Sequence, residues 1–371
     1  MIKFSEIVNN YPFARKTMNS FAFPVFYLIR IFVKLNTKKS ENIVVVSLHR
    51  LGDTVFTIPA IQEIIRTYKK NIYIICFPES KIIYTEVLTG VNYVVIEKAE
   101  YFLNGRLASR VARKKLRNIH PKIIFDLTAS VVSAFLIFNS RAKTIAGSND
   151  EHYRAIYTHF NPVRKKPHLI ERYFDAVSSY VEINRNSWNK GYGLDFNKDG
   201  VILIHPFGGW DAKMWSLKKF IQLAKILNNE FKIAIIIPDK YLPMDILNEI
   251  NFEKIKVIET KTVSELINQI KECSVFIGND SGPLYMADLL GKPTFTVYGP
   301  TNPAFSLPMG EHNKFIKNKL ACSPEQNKQY CFTGAGVFGC PAFQCMNLLS
   351  FNSVYSDIIS SLEQLRTQRH N

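Results

Sequence analysis

Acidic side chains, long apolar runs and paired cysteines are all scarce in this chain of 371 residues. Asp and Glu number 31 against 47 Lys and Arg, a formal net charge of +16. Such a surface favours anionic partners: nucleic acid, anionic lipid, or phosphorylated and carboxylated substrates. A composition rich in Lys, Asn and Ile together also produces the excess, so charge alone selects none of them. No base-reading motif accompanies the charge, and a nucleic-acid partner is not expected. No apolar stretch reaches the roughly 18 residues of a membrane span. No small-residue cleavage site follows the apolar part of the amino-terminal segment, so no secretory signal is read and a cytoplasmic protein is expected. Four of the six cysteines come late, Cys322, Cys331, Cys340 and Cys345, at intervals of nine, nine and five. These are not the C-x-x-C pairs of a zinc ribbon, and a reducing cytoplasm disfavours disulfides. Structural thiols in a long loop are expected and no metal is assigned, with a metal or redox clip as the alternative. The only G-x-G-x-x-G string, Gly334-Ala335-Gly336-Val337-Phe338-Gly339, follows no strand pattern and opens no helix, which sets a nicotinamide oxidoreductase aside.

Apolar residues make up 47% of the chain, ample for buried cores. The length suits two domains of roughly 150–180 residues. Residues 1–40 carry seven basic side chains against Glu6, and between them runs an aromatic stretch interrupted by Arg30 and Lys34. It is too short to span a bilayer but suits the headgroup region of an anionic leaflet. Packing on the protein's own first strand is the alternative.

From residue 43 onward, short β-branched runs at 43–47, 72–76, 93–96, 122–125 and 144–146 alternate with helical patterns such as 54–68 and 107–117. Continuous apolar strands in a βαβα order imply a doubly wound parallel sheet. After a helical stretch at 168–181, the polar, Gly-bearing segment 184–200 reads as a linker. The alternation then restarts, with strands at 201–205, 232–237, 256–258, 275–278 and 294–298 and helices at 216–228, 263–271 and 283–290. An irregular cysteine-bearing loop fills about 300–345, and a terminal helix covers 353–366. The expected organisation is a membrane-proximal segment 1–40, a first domain 41–183, a linker 184–200 and a second domain 201–350. The terminal segment 351–371 is expected to pack back on the first domain. Two such domains facing across a cleft place ligands at the carboxyl ends of their strands.

Three segments carry chemistry. In Val46-Ser47-Leu48-His49-Arg50-Leu51-Gly52-Asp53-Thr54 a buried strand is expected to turn at Gly52 into a helix beginning near Thr54. Asp53 there reads either as a helix cap or as a carboxylate base at the mouth of the sheet. In His205-Pro206-Phe207-Gly208-Gly209-Trp210-Asp211-Ala212-Lys213-Met214-Trp215, Gly208 and Gly209 permit close backbone approach and Lys213 precedes a helix. That arrangement suits a diphosphate, or else it is a Gly-rich turn with a solvated lysine. In Gly278-Asn279-Asp280-Ser281-Gly282-Pro283, polar side chains sit at a helix amino terminus with Pro283 at its first turn. Tyr298-Gly299-Pro300-Thr301 ends the next strand on the same side.

In this order and spacing, the three segments resemble glycosyltransferase family 9, the heptosyltransferases of lipopolysaccharide core assembly. The shared elements are Leu51-Gly52-Asp53, His205-Pro206 through Lys213 and Trp215, Asp280-Ser281-Gly282, Ala287, Leu290-Gly291-Lys292-Pro293 and Tyr298-Gly299-Pro300-Thr301. The resemblance covers residues 43–301. It implies a GT-B fold of two Rossmann-like domains, 41–183 binding the acceptor and 201–350 the nucleotide sugar, and an inverting, metal-independent sugar transfer that needs no cofactor beyond its nucleotide-sugar substrate. It makes Asp53 the catalytic base and assigns Lys213, Gly208, Gly209, Asp280, Ser281, Gly282 and Tyr285 to the donor. The expected donor is ADP-heptose and the acceptor an acidic lipid-linked saccharide at the inner membrane, with Arg50, Arg141 and Arg164 as acceptor contacts. A different nucleotide sugar, or a non-catalytic nucleotide-sugar binder, is the alternative. Two departures bear on the donor: the family's usual histidine is Tyr285 here, and the ribose-side stretch reads Ile237-Pro238-Asp239-Lys240.

Overall fold

The structure is a computed structural model. It describes residues 40–371 apart from 104–105, 108, 150, 164–167, 189–191, 239–247, 249, 251–254, 332–339, 341–342 and 368–371. Of residues 1–39 it describes only Pro24, Leu28 and Ile31, which are helical. Leu28 and Ile31 expose their apolar side chains to 55% and 42%. Arg164, Asp239, Lys240 and the Gly334–Gly339 string lie outside the described residues, as does the rest of the basic amino-terminal segment.

The chain divides into two compact units, Met1–Arg164 with Leu169–Ile183, and Lys165–His168 with Asn184–Asn371. The first unit runs β1 (Asn42–Val46), α1 (Leu51–Tyr68), β2 (Ile72–Cys76), α2 (Pro78–Val87) and β3 (Asn92–Val95). A two-strand antiparallel ribbon, β4 (Phe102–Leu103) and β5 (Arg106–Leu107), precedes α3 (Arg110–Asn118). The unit closes with β6 (Pro121–Asp126), α4 (Val131–Ile137), β7 (Thr144–Asn149), β8 (His159–Pro162) and α5 (Leu169–Val177). Its sheet is ordered β3-β2-β1-β6-β7-β8 with every pair parallel. Helices cover both faces of such a sheet, so β1 is continuously apolar and Ile43, Val44, Val45 and Val46 are all buried. Each of these side chains contributes roughly 1.5–3 kcal/mol of burial.

The second unit repeats the plan: β9 (Val201–His205), α6 (Leu217–Leu227), β10 (Lys232–Pro238), β11 (Lys256–Thr260), α7 (Val263–Glu272), β12 (Cys273–Asn279), α8 (Gly282–Leu289), β13 (Thr294–Tyr298), β14 (Lys314–Lys317) and α9 (Phe351–Thr367). Its all-parallel order is β11-β10-β9-β12-β13-β14. In each sheet the order reverses beside the unit's first strand, between β1 and β6 and between β9 and β12. Outside the carboxyl ends of such strand pairs the chain departs to opposite sides and leaves a crevice. All three chemistry-bearing segments follow β1, β9 or β12, at those ends.

Four expectations change. Helix α1 begins at Leu51, so Gly52 and Asp53 lie inside its first turn rather than in a bend before it. The segment 184–200 does not run loose: Asp195 pairs with Lys292, and the Asn197 amide donates to Ser274 Oγ at 3.1 Å. Strand β14 adds an edge to the second sheet within what reads as an irregular loop. The terminal helix α9 buries Val354, Ile358, Leu362 and Leu365 in the second unit's own core, because its apolar stripe matches the face that α6 and β14 leave there.

Candidate active site

In the first unit, the loop from β1 to α1 is fixed by a buried hydroxyl network. Thr54 Oγ1 hydrogen-bonds the Arg50 carbonyl at 3.0 Å and shares a hydrogen with Ser80 Oγ at 2.8 Å. Ser80 Oγ in turn donates to the His49 carbonyl at 3.2 Å. Beneath it, Tyr84 OH lies 2.7 Å from both Ser47 Oγ and Thr57 Oγ1. Thr128 Oγ1 accepts from the Leu48 amide at 3.0 Å and so ties the same loop to the end of β6. Asp53 is half-buried in the first turn of α1, the positive end of the helix, where a carboxylate is favoured. The capping position belongs to Arg50, whose side chain makes no cap bond. Asp53 is therefore no N-cap, and that bland alternative falls away.

Two rings stand near Asp53. His49 Nε2 meets the Leu127 carbonyl at 3.0 Å, and its ring packs edge-on to Tyr173 with centroids 5.4 Å apart. Burial pushes the His49 pKa down, against the opposing pull of the Asp53 charge. Burial, followed by that same charge, raises the Tyr173 hydroxyl well above its ordinary value. His49 is therefore held neutral beside a carboxylate, and Tyr173, which no motif marks, belongs to the surroundings of Asp53.

Of the residues expected on the acceptor side, Arg50 is exposed at the start of α1. Arg141 is not brought near Asp53. It lies with Arg110, Arg113, Lys114 and Arg117 along a groove of about 540 Å³. His120 and Ser140 line the same groove, which places it at the amino-terminal ends of β6 and β7, the opposite edge of the sheet from Asp53.

In the second unit, the segments after β9, β12 and β13 converge. Asn279, fully buried at the end of β12, accepts from the Trp215 amide at 3.0 Å and donates to the Pro206 carbonyl at 2.9 Å. One side chain thus clamps both ends of the Pro206–Trp215 loop. A Cβ on Gly208 would stand 3.2 Å from that of Lys213 and 3.1 Å from Met214 Cγ, whereas one on Gly209 would meet open space. Gly208 accordingly lets the loop close on itself, and Gly209 leaves its outer side unfilled.

Lys213 Nζ sits 2.6 Å from Asp280 Oδ2 and 4.8 Å from the centre of the Trp210 ring. Asp280 is 1% exposed. Thr301 Oγ1 donates to Oδ2 at 2.6 Å, and Tyr285 OH donates to Oδ1. Burial alone raises a carboxyl pKa, but Lys213, Thr301 and Tyr285 together hold that of Asp280 below its usual value. The aspartate is therefore ionised, with both oxygens engaged by protein donors. Tyr285, the departure from the family pattern, is accounted for: its hydroxyl serves Asp280.

On the segments that end or follow β9 and β12, three buried polar atoms have no hydrogen-bond partner among the described residues: Trp210 Nε1, whose ring lies under Lys213, Ser281 Oγ, next in the chain to Asp280, and His205 Nδ1 at the end of β9. Burial lowers the His205 pKa to about 4, so the ring is neutral near pH 7. Ser281 precedes α8 and makes no cap bond of its own. Buried polar groups are normally satisfied, and each orphan costs about 1–3 kcal/mol. Three gathered at one sheet end, beside a lysine and a helix amino terminus, describe a site shaped for a polar anionic ligand. Trp210 and Asn279 are site residues to which the sequence reading gave no role, whereas Thr301 falls in the segment it put on the same side. The signal for Thr301 lay in its place directly after β13.

A model of glycosyltransferase family 9 (heptosyltransferase) matches residues 110–335, well over half of the chain. Lipooligosaccharide heptosyltransferase 2 of Campylobacter jejuni is 25% identical over 295 residues, covering 75% of this chain and 87% of the relative. Among solved structures, a glycosyl transferase family 9 protein of Veillonella parvula superposes with a TM-score of 0.67 at 18% identity, over 87% of this chain and 97% of that one. Escherichia coli ADP-heptose lps heptosyltransferase II does so with a TM-score of 0.66 at 17% identity, over 88% and 100%. These likenesses agree with the GT-B architecture of two Rossmann-like units. The chain belongs to glycosyltransferase family 9 and is a glycosyltransferase.

Proposed function

We propose that the protein is an inverting, metal-independent transferase that moves heptose from an ADP-linked donor onto a lipopolysaccharide core or related lipid-linked saccharide. The observation that carries the donor assignment is Lys213 over the Trp210 ring, with Trp210 Nε1, Ser281 Oγ and His205 Nδ1 all buried without partners on the segments at the ends of β9 and β12. A nucleoside diphosphate brings the acceptor oxygens that those groups lack. The nature of the sugar and of the acceptor is supported by the relatives named lipooligosaccharide heptosyltransferase 2 and ADP-heptose lps heptosyltransferase II.

In the proposed reaction the Asp53 carboxylate takes the proton of an acceptor hydroxyl. The freed oxygen forms a bond to the anomeric carbon as the bond to the diphosphate breaks, and the bonding pair leaves with the nucleoside diphosphate. A single displacement of this kind inverts the anomeric centre. Negative charge builds on the departing phosphates, where Lys213 and the amino terminus of α8 stabilise it without a divalent cation. Asp280 does not touch the phosphates in this reading, since a carboxylate would repel them and its oxygens already accept from Lys213, Thr301 and Tyr285. It positions Lys213. Neutral His49 next to Asp53 keeps the base from being tied up in an ion pair with an imidazolium.

Melting the protein with a panel of nucleotide sugars tests the donor. ADP-heptose is expected to raise the melting temperature more than UDP- or GDP-linked sugars. A larger rise with another nucleotide would sink the ADP assignment and leave the transferase reading standing.

A further inference from the structure

Strand β14 ends at Lys317, and a long connection leads to Gln344–Asn347, the next helix among the described residues. This connection carries Cys322, Cys331 and Cys340, and Cys345 lies in the helix that ends it. All four are free thiols lining one pocket of about 250 Å³. No His, Asp or Glu joins them in the lining. Burial, and then Cys322, Cys345 and Cys340, push the Cys331 thiol up to about 11, so each of those thiols stands within electrostatic reach of the fourth.

We propose that Cys322, Cys331, Cys340 and Cys345 form a structural metal site that takes one zinc or ferrous ion as a tetrathiolate. A ligand set of sulfur alone selects zinc or iron over the hard cations, which prefer oxygen. Binding deprotonates the four thiols and releases their protons to solvent, and the cation offsets the mutual repulsion of the thiolates. Among the described residues no three His, Cys, Asp or Glu side chains are drawn tightly enough to hold an ion as they stand. The thiols therefore close on the ion, which three of them, being only partly buried, and the exposed Cys322 are placed to do.

Supporting groups for such a site are in place. The Met346 amide hydrogen-bonds the Cys345 sulfur, and the ammonium of Lys317 feels Cys345, Cys331 and Cys322 while its Nζ donates to the Thr301 carbonyl at 2.6 Å. The site is structural rather than catalytic. Ala212, Gly299 and Pro300 form its other wall, and the Cys331 amide donates to the Pro300 carbonyl at 3.0 Å. An ion there pins the long connection against the residues that flank Lys213 and Thr301, and no sugar or phosphate needs to reach it.

Elemental analysis of the full-length protein, purified reduced and without chelator, is expected to find about one equivalent of zinc or iron. Adding Co²⁺ to chelator-stripped protein should give the intense thiolate-to-cobalt absorption of a sulfur-ligated tetrahedral ion. Cys331→Ser/Cys345→Ser should lose both signals. Because that variant can fail to fold, the wild-type protein supplies a second measurement: chelation should expose residues 318–345 to protease, and Zn²⁺ should restore resistance. The proposal is overturned if reduced wild-type protein neither contains nor takes up a stoichiometric ion. Metal that survives in the double variant, or native disulfides among the four cysteines, overturns it equally. The metal count does not depend on whether the chain transfers heptose.

Discussion

Asp280 and Lys213 form a buried, closely held pair, and its constraint separates two kinds of contribution. With Asp280 wholly buried, removing the lysine leaves a desolvated carboxylate held only by Thr301 and Tyr285. Breaking a buried pair from one side costs roughly 3–5 kcal/mol. Lys213→Ala is thus expected to lower stability as well as donor affinity, and the double variant Lys213→Ala/Asp280→Asn isolates the second effect. It should recover much of the stability yet bind the donor diphosphate about 10- to 100-fold more weakly than wild type, the equivalent of a lost charge-assisted hydrogen bond. Calorimetric titration with ADP checks this, and wild-type affinity in the double variant would refute contact between Lys213 and the phosphates. Asp53 behaves differently, since it stands half-exposed in the first turn of α1. Asp53→Asn should keep the fold and the donor affinity while turnover falls about 10²- to 10⁴-fold, the range that general-base catalysis supplies. Retained turnover in a sugar-transfer assay would show that the proton leaves by another route.

Helix α8 begins at the Ser281 site and carries a second buried carboxyl group, that of Asp288, about two turns beyond it. Burial raises the Asp288 pKa to about 7, against an opposing hydrogen bond from Asn313 Nδ2 at 2.8 Å. A carboxyl whose folded pKa lies above its unfolded value binds its proton more tightly when folded. Its stabilising effect is complete below the unfolded pKa and is lost as pH rises through about 7. Asp288→Asn retains an oxygen for Asn313 and cannot ionise. Urea unfolding of the second unit at pH 5 and pH 8 should therefore show wild type losing on the order of 2–4 kcal/mol relative to the variant; parallel pH dependences would contradict a buried, protonated Asp288. The elements themselves were largely legible in the sequence, because parallel strands buried on both faces leave continuous apolar runs, and β9 and β13 fall at the residues expected. Less legible were α2, whose mixed composition lacks a clear stripe, and β14, a four-residue edge strand with lysine at both ends. At the site, Lys213 and Asp280 were marked by motif. Their direct pairing was not, and neither was the service of Tyr285 to Asp280. Those are consequences of the β9–β12–β13 pairing, which brings together residues far apart in the chain. The Arg141 expectation shows the converse: a basic residue type carries no information about the sheet edge on which it falls.

At the scale of the whole molecule, the +16 charge is spread unevenly. Seven basic side chains fall within residues 1–40, and Arg110, Arg113, Lys114, Arg117 and Arg141 gather at one edge of the first unit. No carboxylate lines that groove. A transferase whose acceptor is anchored in lipid gains from dwelling at an anionic surface. Each Lys or Arg near such a surface contributes about 1 kcal/mol, an attraction that fades within a Debye length of about 8 Å at physiological salt. Electrostatics alone would then give binding that disappears when salt is raised. The amino-terminal segment adds aromatic and aliphatic side chains, among them exposed Leu28 and Ile31, and insertion of such side chains among acyl chains would not depend on salt. Sedimentation with vesicles containing phosphatidylglycerol can separate the two. Full-length protein is expected to bind them strongly at low salt and to retain part of that binding at about 1 M salt, where the screening length shrinks to roughly 3 Å. Protein lacking residues 1–38 should keep only the salt-sensitive part, and reversing Arg113 and Arg117 to Glu in that background should remove it. If the truncated protein bound as tightly as the full chain at every salt concentration, the amino-terminal segment would have no part in vesicle binding.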